Sequence, residues 1–175
     1  MQRRTLLLAA ALPVIAIPVQ AQTLQERFFR TGAGATAFVE FATISDTFEI
    51  ESSRVLLARS THAGIRPFAQ KMVDQHGQMA ADLRRLPEAT TRLPAQFDER
   101  QAERIAVLRQ QQDEDMLNRY YVEQQIQAHE EMLETYRAYA NNGEVPALRA
   151  HAQRYAPTIE QDLKAARALQ APRQG

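Results

Sequence analysis

The sequence predicts an all-α protein: an up-down bundle of four long helices, with an additional short helix before the third long helix. Apolar residues recur at i, i+3, i+4 and i+7 through four long segments. Short stretches that contain glycine, proline or paired asparagines separate these segments. No stretch alternates apolar and polar residues as a half-buried strand would. Long helices joined by short turns are typical of an up-down bundle.

Residues 1–21 have the pattern of a cleaved export signal. Arg3 and Arg4 form a basic region, and the apolar run over residues 6–17 is too short to span a bilayer comfortably. Residues 19–21 fit the small-x-small cleavage rule, which makes Gln22 the expected new N-terminus. An uncleaved anchor is disfavoured because polar residues begin directly after the cleavage site. We therefore expect a periplasmic protein. The paired arginines resemble a twin-arginine signal and leave the export route open.

The composition excludes several classes of function. The whole chain has 21 basic and 21 acidic residues, and signal removal would take away Arg3 and Arg4. The resulting slight acidic excess argues against nucleic acid or an anionic membrane surface as a partner. The absence of cysteine excludes disulfides, thiolate metal ligands and a catalytic thiol. No second apolar run of membrane-spanning length follows, so no transmembrane segment is expected after signal cleavage.

The first half of the mature chain should contain two long helices. Residues 22–35 are expected to be a flexible lead-in, in which Leu24, Phe28 and Phe29 could form a turn of helix. Thr36 is the predicted N-cap of the first long helix, which runs to about residue 60. Gly64 interrupts the pattern, and the second long helix is predicted over residues 65–86.

The second half should contain the short helix and two more long helices. A loop is predicted over residues 88–94, and a short charged helix over residues 97–111. The acidic residues at 113–115 suit the positive end of a third long helix, which should stop at Gly143. Pro146 begins the last long helix. The four-helix domain therefore spans residues 36–170, and residues 171–175 should fray.

Three polar residues fall at one level of the predicted bundle. His76 and His129 lie centrally in the apolar faces of the second and third long helices, and Glu49 lies at the edge of the first. Counted from the turns near His62 and Gly143, Glu49 is 13 residues and each of these histidines 14 residues below the same end. At roughly 1.5 Å per residue, all three lie about 20 Å from that end.

A carboxylate and two imidazoles at one level inside a bundle are what a metal site would need. Glu49, His76 and His129 are therefore candidate ligands, and Asp162 on the last helix lies one turn from their level as a fourth. Such a set with an open position could bind one transition-metal ion, whether Fe, Mn, Zn or Cu.

A purely structural interpretation also fits the sequence. The two buried histidines could satisfy each other, or hydrogen-bond to Ser45, Tyr136 and Glu49, and so fix the helix register. Glu49 could instead pair with Arg54 or Arg59 at the edge of its face. His62 and His151 are expected to be solvated. No glycine-rich phosphate loop, nucleophile elbow or His-Glu-x-x-His pattern is present, so no catalytic or cofactor-binding residue is assigned.

Several segments together resemble a known family. They are residues 48–54, 68–76, 121–129 and 139–149. The chain resembles exported bacterial domains of unknown function, family 4142, over roughly residues 36–169. Members are often described as predicted outer-membrane proteins, and the resemblance implies a ferritin-like four-helix bundle. Two positions depart from the family pattern: Gln75 precedes His76 where an aspartate is common, and Asp162 stands where a histidine is common.

Ferroxidase or iron-storage activity does not follow from this resemblance, because both the family and this chain lack paired Glu-x-x-His motifs. We expect a non-enzymatic binding or stress-related protein. One alternative is a metal-dependent oxidase or peroxide-handling enzyme that uses the same residues. Another is a helical interaction module that binds envelope proteins through its surface.

Overall fold

A computed structural model describes residues 23–90, 92 and 99–170. The expected signal peptide, the terminal tail at 171–175 and residues 91, 93 and 94 of the expected loop lie outside the described residues. The described residues form helices and no strand, which confirms the all-α prediction. The helices are α1 (Leu24–Arg30), α2 (Ala35–Arg59), α3 (Arg66–Arg84), α4 (Pro87–Thr90), α5 (Glu99–Gln110), α6 (Glu114–Asn142) and α7 (Pro146–Gln170).

The four long helices enclose one interior. Helix α2 packs against α3 and α6, and α7 packs against the same two helices from the other side. Helix α5 packs against α2 and α6, α1 packs at the same pair, and α4 packs against α3 and α7. This arrangement is the predicted helical bundle, with the short helix before the third long helix. Among the described residues, no helix has both the length and the apolar content that a membrane span requires.

Local sequence explains most of the helix boundaries. Asp113 is the N-cap of α6, and its carboxylate accepts a hydrogen bond from the backbone N–H of Met116 at 2.8 Å. Helix α6 ends at Asn142, directly before Gly143, and α7 begins at Pro146 as predicted. The loop prediction was wrong in its first part, because residues 87–90 form the helical turn α4.

The start of α2 differs from the prediction because its cap comes from a distant residue. Helix α2 begins at Ala35, so Thr36 is not its N-cap. The side chain of Glu144 accepts a hydrogen bond from the backbone N–H of Ala35 at 3.0 Å. In the preceding lead-in, Thr23 and Glu26 form a capping box that begins α1. Helix α1 therefore forms a full element of the fold.

An aromatic cluster fills the interior where α2 begins and α6 ends. Phe38 stacks on Tyr139 with ring centroids 4.1 Å apart, and Tyr136 meets Phe38 edge-on at 5.2 Å. Phe28 of α1 completes the cluster, and all four side chains are fully buried. Aromatic pairs of this kind contribute about 0.5–1.5 kcal/mol beyond the burial of their area. This cluster ties α1 to the bundle.

Candidate metal centre

Helix α2 brings two carboxylates into the bundle interior. Asp46 and Glu49 are three residues apart, so they lie one turn apart on one helix face. Both side chains are fully buried. Glu51, by contrast, lies near the surface and pairs with Arg54 at 2.8 Å. Glu49 is therefore not the surface-edge carboxylate that the structural interpretation allowed.

Two histidines approach Glu49 from neighbouring helices. His76 comes from α3 and His129 from α6, and neither is exposed to solvent. Their rings lie 5.6 Å apart, edge to face. One ligand atom from each of Glu49, His76 and His129 lies within 4.8 Å of the other two. The structure thus brings together three of the four residues that the sequence analysis predicted as metal ligands.

A hydrogen bond holds each imidazole through its Nδ1 atom. Nδ1 of His76 lies 2.8 Å from an oxygen of Asp46. Nδ1 of His129 donates to the backbone carbonyl of Gln125, also at 2.8 Å. A carbonyl can only accept, so this bond places the proton of a neutral His129 on Nδ1 and the lone pair on Nε2. Carboxylate and carbonyl partners orient metal-binding histidines in this way.

Several polar atoms of Glu49, His76 and His129 have no hydrogen-bond partner among the described residues. Within the described part of the chain, both oxygens of Glu49 and the Nε2 atoms of His76 and His129 make no hydrogen bond. The nearest Glu49 oxygen lies 3.7 Å from Nδ1 of His129, which is too long for one. An unsatisfied buried polar group costs about 1–3 kcal/mol, and more when it is charged. A cation coordinated by these atoms would satisfy several of them at once. We call Asp46, Glu49, His76 and His129 the polar cluster.

The two histidines differ in their electrostatic setting. Burial alone would lower the pKa of His76, but the hydrogen bond and the charge of Asp46, with the charge of Glu49, raise it above its usual range. Burial lowers the pKa of His129, and the charge of Glu49 opposes this only in part. His129 is therefore a neutral imidazole at neutral pH, whereas His76 is hydrogen-bonded to a carboxylate that can balance a positive charge.

Asp162, the fourth predicted ligand, has other partners. Its fully buried carboxylate on α7 lies 2.6 Å from the ammonium of Lys71. Its other oxygen accepts a hydrogen bond from the side-chain amide of Gln75. Both donors belong to α3. Asp162 is not one of the three residues whose ligand atoms converge.

The sequence reasoning missed the two groups that orient the histidines. Asp46, rather than Ser45 or Tyr136, is the side-chain partner of His76. The partner of His129 is the carbonyl four residues earlier in its own helix, which no side-chain pattern reveals. The spacing of Asp46 and Glu49 was the available signal, since acids three residues apart share a helix face.

The prediction that His151 is solvated was wrong. His151 is buried on α7, with its ring 4.8 Å from that of Tyr155 and 6.1 Å from that of Tyr136. Burial lowers its pKa to about 4. His62 lies half-buried before α3, where its Nδ1 accepts hydrogen bonds from the backbone N–H groups of Gly64 and Ile65.

Fold and site together define a helical-bundle protein with a buried Glu-His-His group that could hold a metal ion. The chain belongs to the family described as a domain of unknown function, DUF4142, which it matches over residues 22–169. This match confirms the family that the sequence motifs indicated. No curated protein and no solved structure matches the chain.

Proposed function

We propose that this protein binds one divalent transition-metal ion inside its bundle, through Glu49, His76 and His129. The observation that carries the proposal is the convergence of one ligand atom from each of Glu49, His76 and His129, on three helices, within 4.8 Å. The hydrogen bonds at both Nδ1 atoms support it further, because they orient the two rings and leave each Nε2 without a partner among the described residues.

The donor chemistry favours a transition metal over magnesium or calcium. Imidazole suits Zn, Cu and Fe, whereas magnesium and calcium prefer sites made of oxygen atoms. Asp46 and Glu49 would together supply two negative charges beside the ion, which matches a divalent cation. Asp46 would act through His76, and Glu49 would bind the ion directly.

Burial favours a binding role over catalysis. The side chains of Glu49, His76 and His129 are all excluded from solvent, so a substrate has no direct approach to a bound ion. A metal-dependent oxidase or peroxide-handling enzyme is the second candidate, because three protein ligands leave a coordination position open. Oxygen or peroxide consumption by metal-loaded protein would support the enzyme, and an inert loaded protein would support the binding role.

We also propose a periplasmic location. The proposal is supported by the basic, apolar and small-residue pattern of residues 1–21. We also propose a ferritin-like arrangement of the four helices, which the family resemblance supports. Intact-mass analysis of protein from the periplasmic fraction tests the location, with Gln22 as the expected first residue.

Calorimetric titration of chelator-treated protein with zinc or cobalt tests metal binding. The wild-type chain should bind one ion, and a free metal concentration of 100 times Kd should stabilise it by about 2.7 kcal/mol. That gain raises the melting temperature by roughly 5–10 °C for a domain of this size.

Three histidine variants make this titration specific. His76→Leu and His129→Leu should lose the bound ion and the thermal shift. His151→Leu removes a buried histidine outside the polar cluster and should retain both. A wild-type chain that binds no ion contradicts the proposal, and so does equal binding by all three variants.

A further inference from the structure

A surface lysine covers the buried carboxylate of Asp162. The side chain of Asp162 has no solvent exposure, whereas that of Lys71 is 48% exposed, and the two groups lie 2.6 Å apart. Gln75 donates its amide hydrogen to the second oxygen of the same carboxylate. The buried negative charge of Asp162 is therefore paired with an ammonium group whose side chain is about half exposed to water.

The pair lies on the seam between α3 and α7. Helices α3 and α7 contact each other less extensively than any other two neighbouring long helices of the bundle do. Gln75, which binds this carboxylate, directly precedes His76 in the chain, and by residue count Asp162 lies one helical turn from the level of the polar cluster. Asp162 is thus a buried carboxylate close to the level of the polar cluster, and a half-exposed lysine is its only charged hydrogen-bond partner among the described residues.

A divalent cation and Lys71 would compete for the same carboxylate. Lysine is a compact charge on a flexible stem, so its ammonium can return to water with little rearrangement. A buried carboxylate without a cation is costly, so one cation or the other should remain beside Asp162.

We propose that the ion pair of Lys71 and Asp162 controls metal binding at the metal centre, and we call this pair the electrostatic latch. This inference rests on the proposed function. The metal ion reaches the polar cluster along the α3–α7 seam, and Asp162 attracts it once Lys71 swings into solvent. Lys71 lowers the affinity of the centre by occupying Asp162, and Asp162 raises the rate of association.

Cobalt binding by stopped-flow absorbance, with affinity from a competing chelator, tests the latch. Lys71→Met should bind cobalt about tenfold more tightly, since the competing charge is gone. Asp162→Asn should bind about tenfold more weakly and associate more slowly. The double variant should match Asp162→Asn, because Lys71 acts only through that carboxylate.

Two control variants keep the test specific. Lys71→Arg keeps the positive charge and should behave as wild type. Lys164→Met removes an exposed lysine of α7 that pairs with Glu160 at 3.3 Å, so it makes the same net charge change away from the latch. It should leave cobalt binding unchanged. Melting curves establish that each variant is folded. If Asp162→Asn does not fold, the three lysine variants still decide the question.

Equal effects of Lys71→Met and Lys164→Met would overturn the latch, as would a Lys71→Met effect that persists in the Asp162→Asn background. Either result leaves metal binding at Glu49, His76 and His129 intact. A wild-type chain that binds no cobalt would instead overturn the metal centre itself, and the latch with it.

Discussion

The aromatic cluster joins α1, α2 and α6, and the polar cluster joins α2, α3 and α6 about two turns further along the bundle. In the aromatic cluster, ring packing accounts for the side chains, as the stacked pair Phe38 and Tyr139 shows. In the polar cluster, packing leaves both Glu49 oxygens and the Nε2 atom of each histidine without a partner among the described residues. The hydroxyls of Tyr136 and Tyr139 in the aromatic cluster also lack a partner among the described residues, so unpartnered atoms alone do not mark a site. What distinguishes the polar cluster is that ligand atoms of a carboxylate and two imidazoles converge there.

His151 sharpens this distinction. It is buried as His76 and His129 are, and its Nε2 also has no hydrogen-bond partner within the described residues. It packs against Tyr136 of the aromatic cluster and does not belong to the converging group of ligands. A buried histidine alone is thus a weak sign of a site, and convergence with a carboxylate is a stronger one.

The largest effect is expected in the aromatic cluster. Phe38→Ala removes a fully buried ring that packs on three others, and should lower the free energy of unfolding by about 3–5 kcal/mol. Urea denaturation of metal-free protein measures this loss. The metal affinity of the folded protein should not change. A parallel loss of affinity would show that the two clusters do not act separately.

Acid should destabilise the protein through His151. The folded pKa is about 4 against an ordinary value of 6.5, so between these pH values the unfolded chain binds a proton that the folded chain does not. Stability therefore falls as the pH drops from 6.5 to 4, by about 3 kcal/mol from this residue. Denaturation at several pH values should show that the free energy of unfolding of the wild type falls over this range. His151→Leu should lose about 3 kcal/mol less than the wild type does. Equal losses in the two proteins would contradict this.

Asp46→Asn tests the orientation of His76. Loss of the carboxylate that holds Nδ1 should weaken metal binding by about 10–100-fold, as removal of such orienting groups does. Calorimetric titration measures the change. Asp74→Asn on α3 is the matched control, because Asp74 is exposed and accepts a hydrogen bond from Gln70. Equal affinities in the two variants would mean that Asp46 has no part in the centre.

Glu49→Leu should have the smallest effect on the metal-free protein. It removes a buried carboxylate without hydrogen-bond partners, so stability should stay the same or rise by about 1 kcal/mol. The same variant should lose the stabilisation that added metal gives. A loss as large as that of Phe38→Ala would place Glu49 in the structural core.

The fold was largely predictable because the helices follow local rules. Asp113, Gly143 and Pro146 mark helix ends in the sequence, and the structure uses them close to the predicted positions. The start of α2 was not predictable in this way, because Glu144 caps Ala35 from a distant part of the chain. Caps supplied across the fold leave no local pattern.

The height of the candidate site in the bundle was predictable, but the hydrogen-bond and ion-pair partners of its residues were less so. Counting residues from the turns placed Glu49, His76 and His129 at one height, because helices rise by a constant amount per residue. The role of Asp46 and the pairing of Asp162 with Lys71 depend on side-chain directions across helices. Sequence spacing along one helix does not determine those directions.

The most direct test of the metal centre is X-ray absorption at the zinc edge, on protein loaded with one equivalent of zinc. The proposal predicts two imidazole nitrogens at about 2.0–2.1 Å and one carboxylate oxygen at about 2.0–2.2 Å. His129→Leu loaded in the same way should lose one imidazole. A first shell of oxygen atoms only, or a spectrum that His129→Leu leaves unchanged, would place the ion on the surface and contradict the central claim.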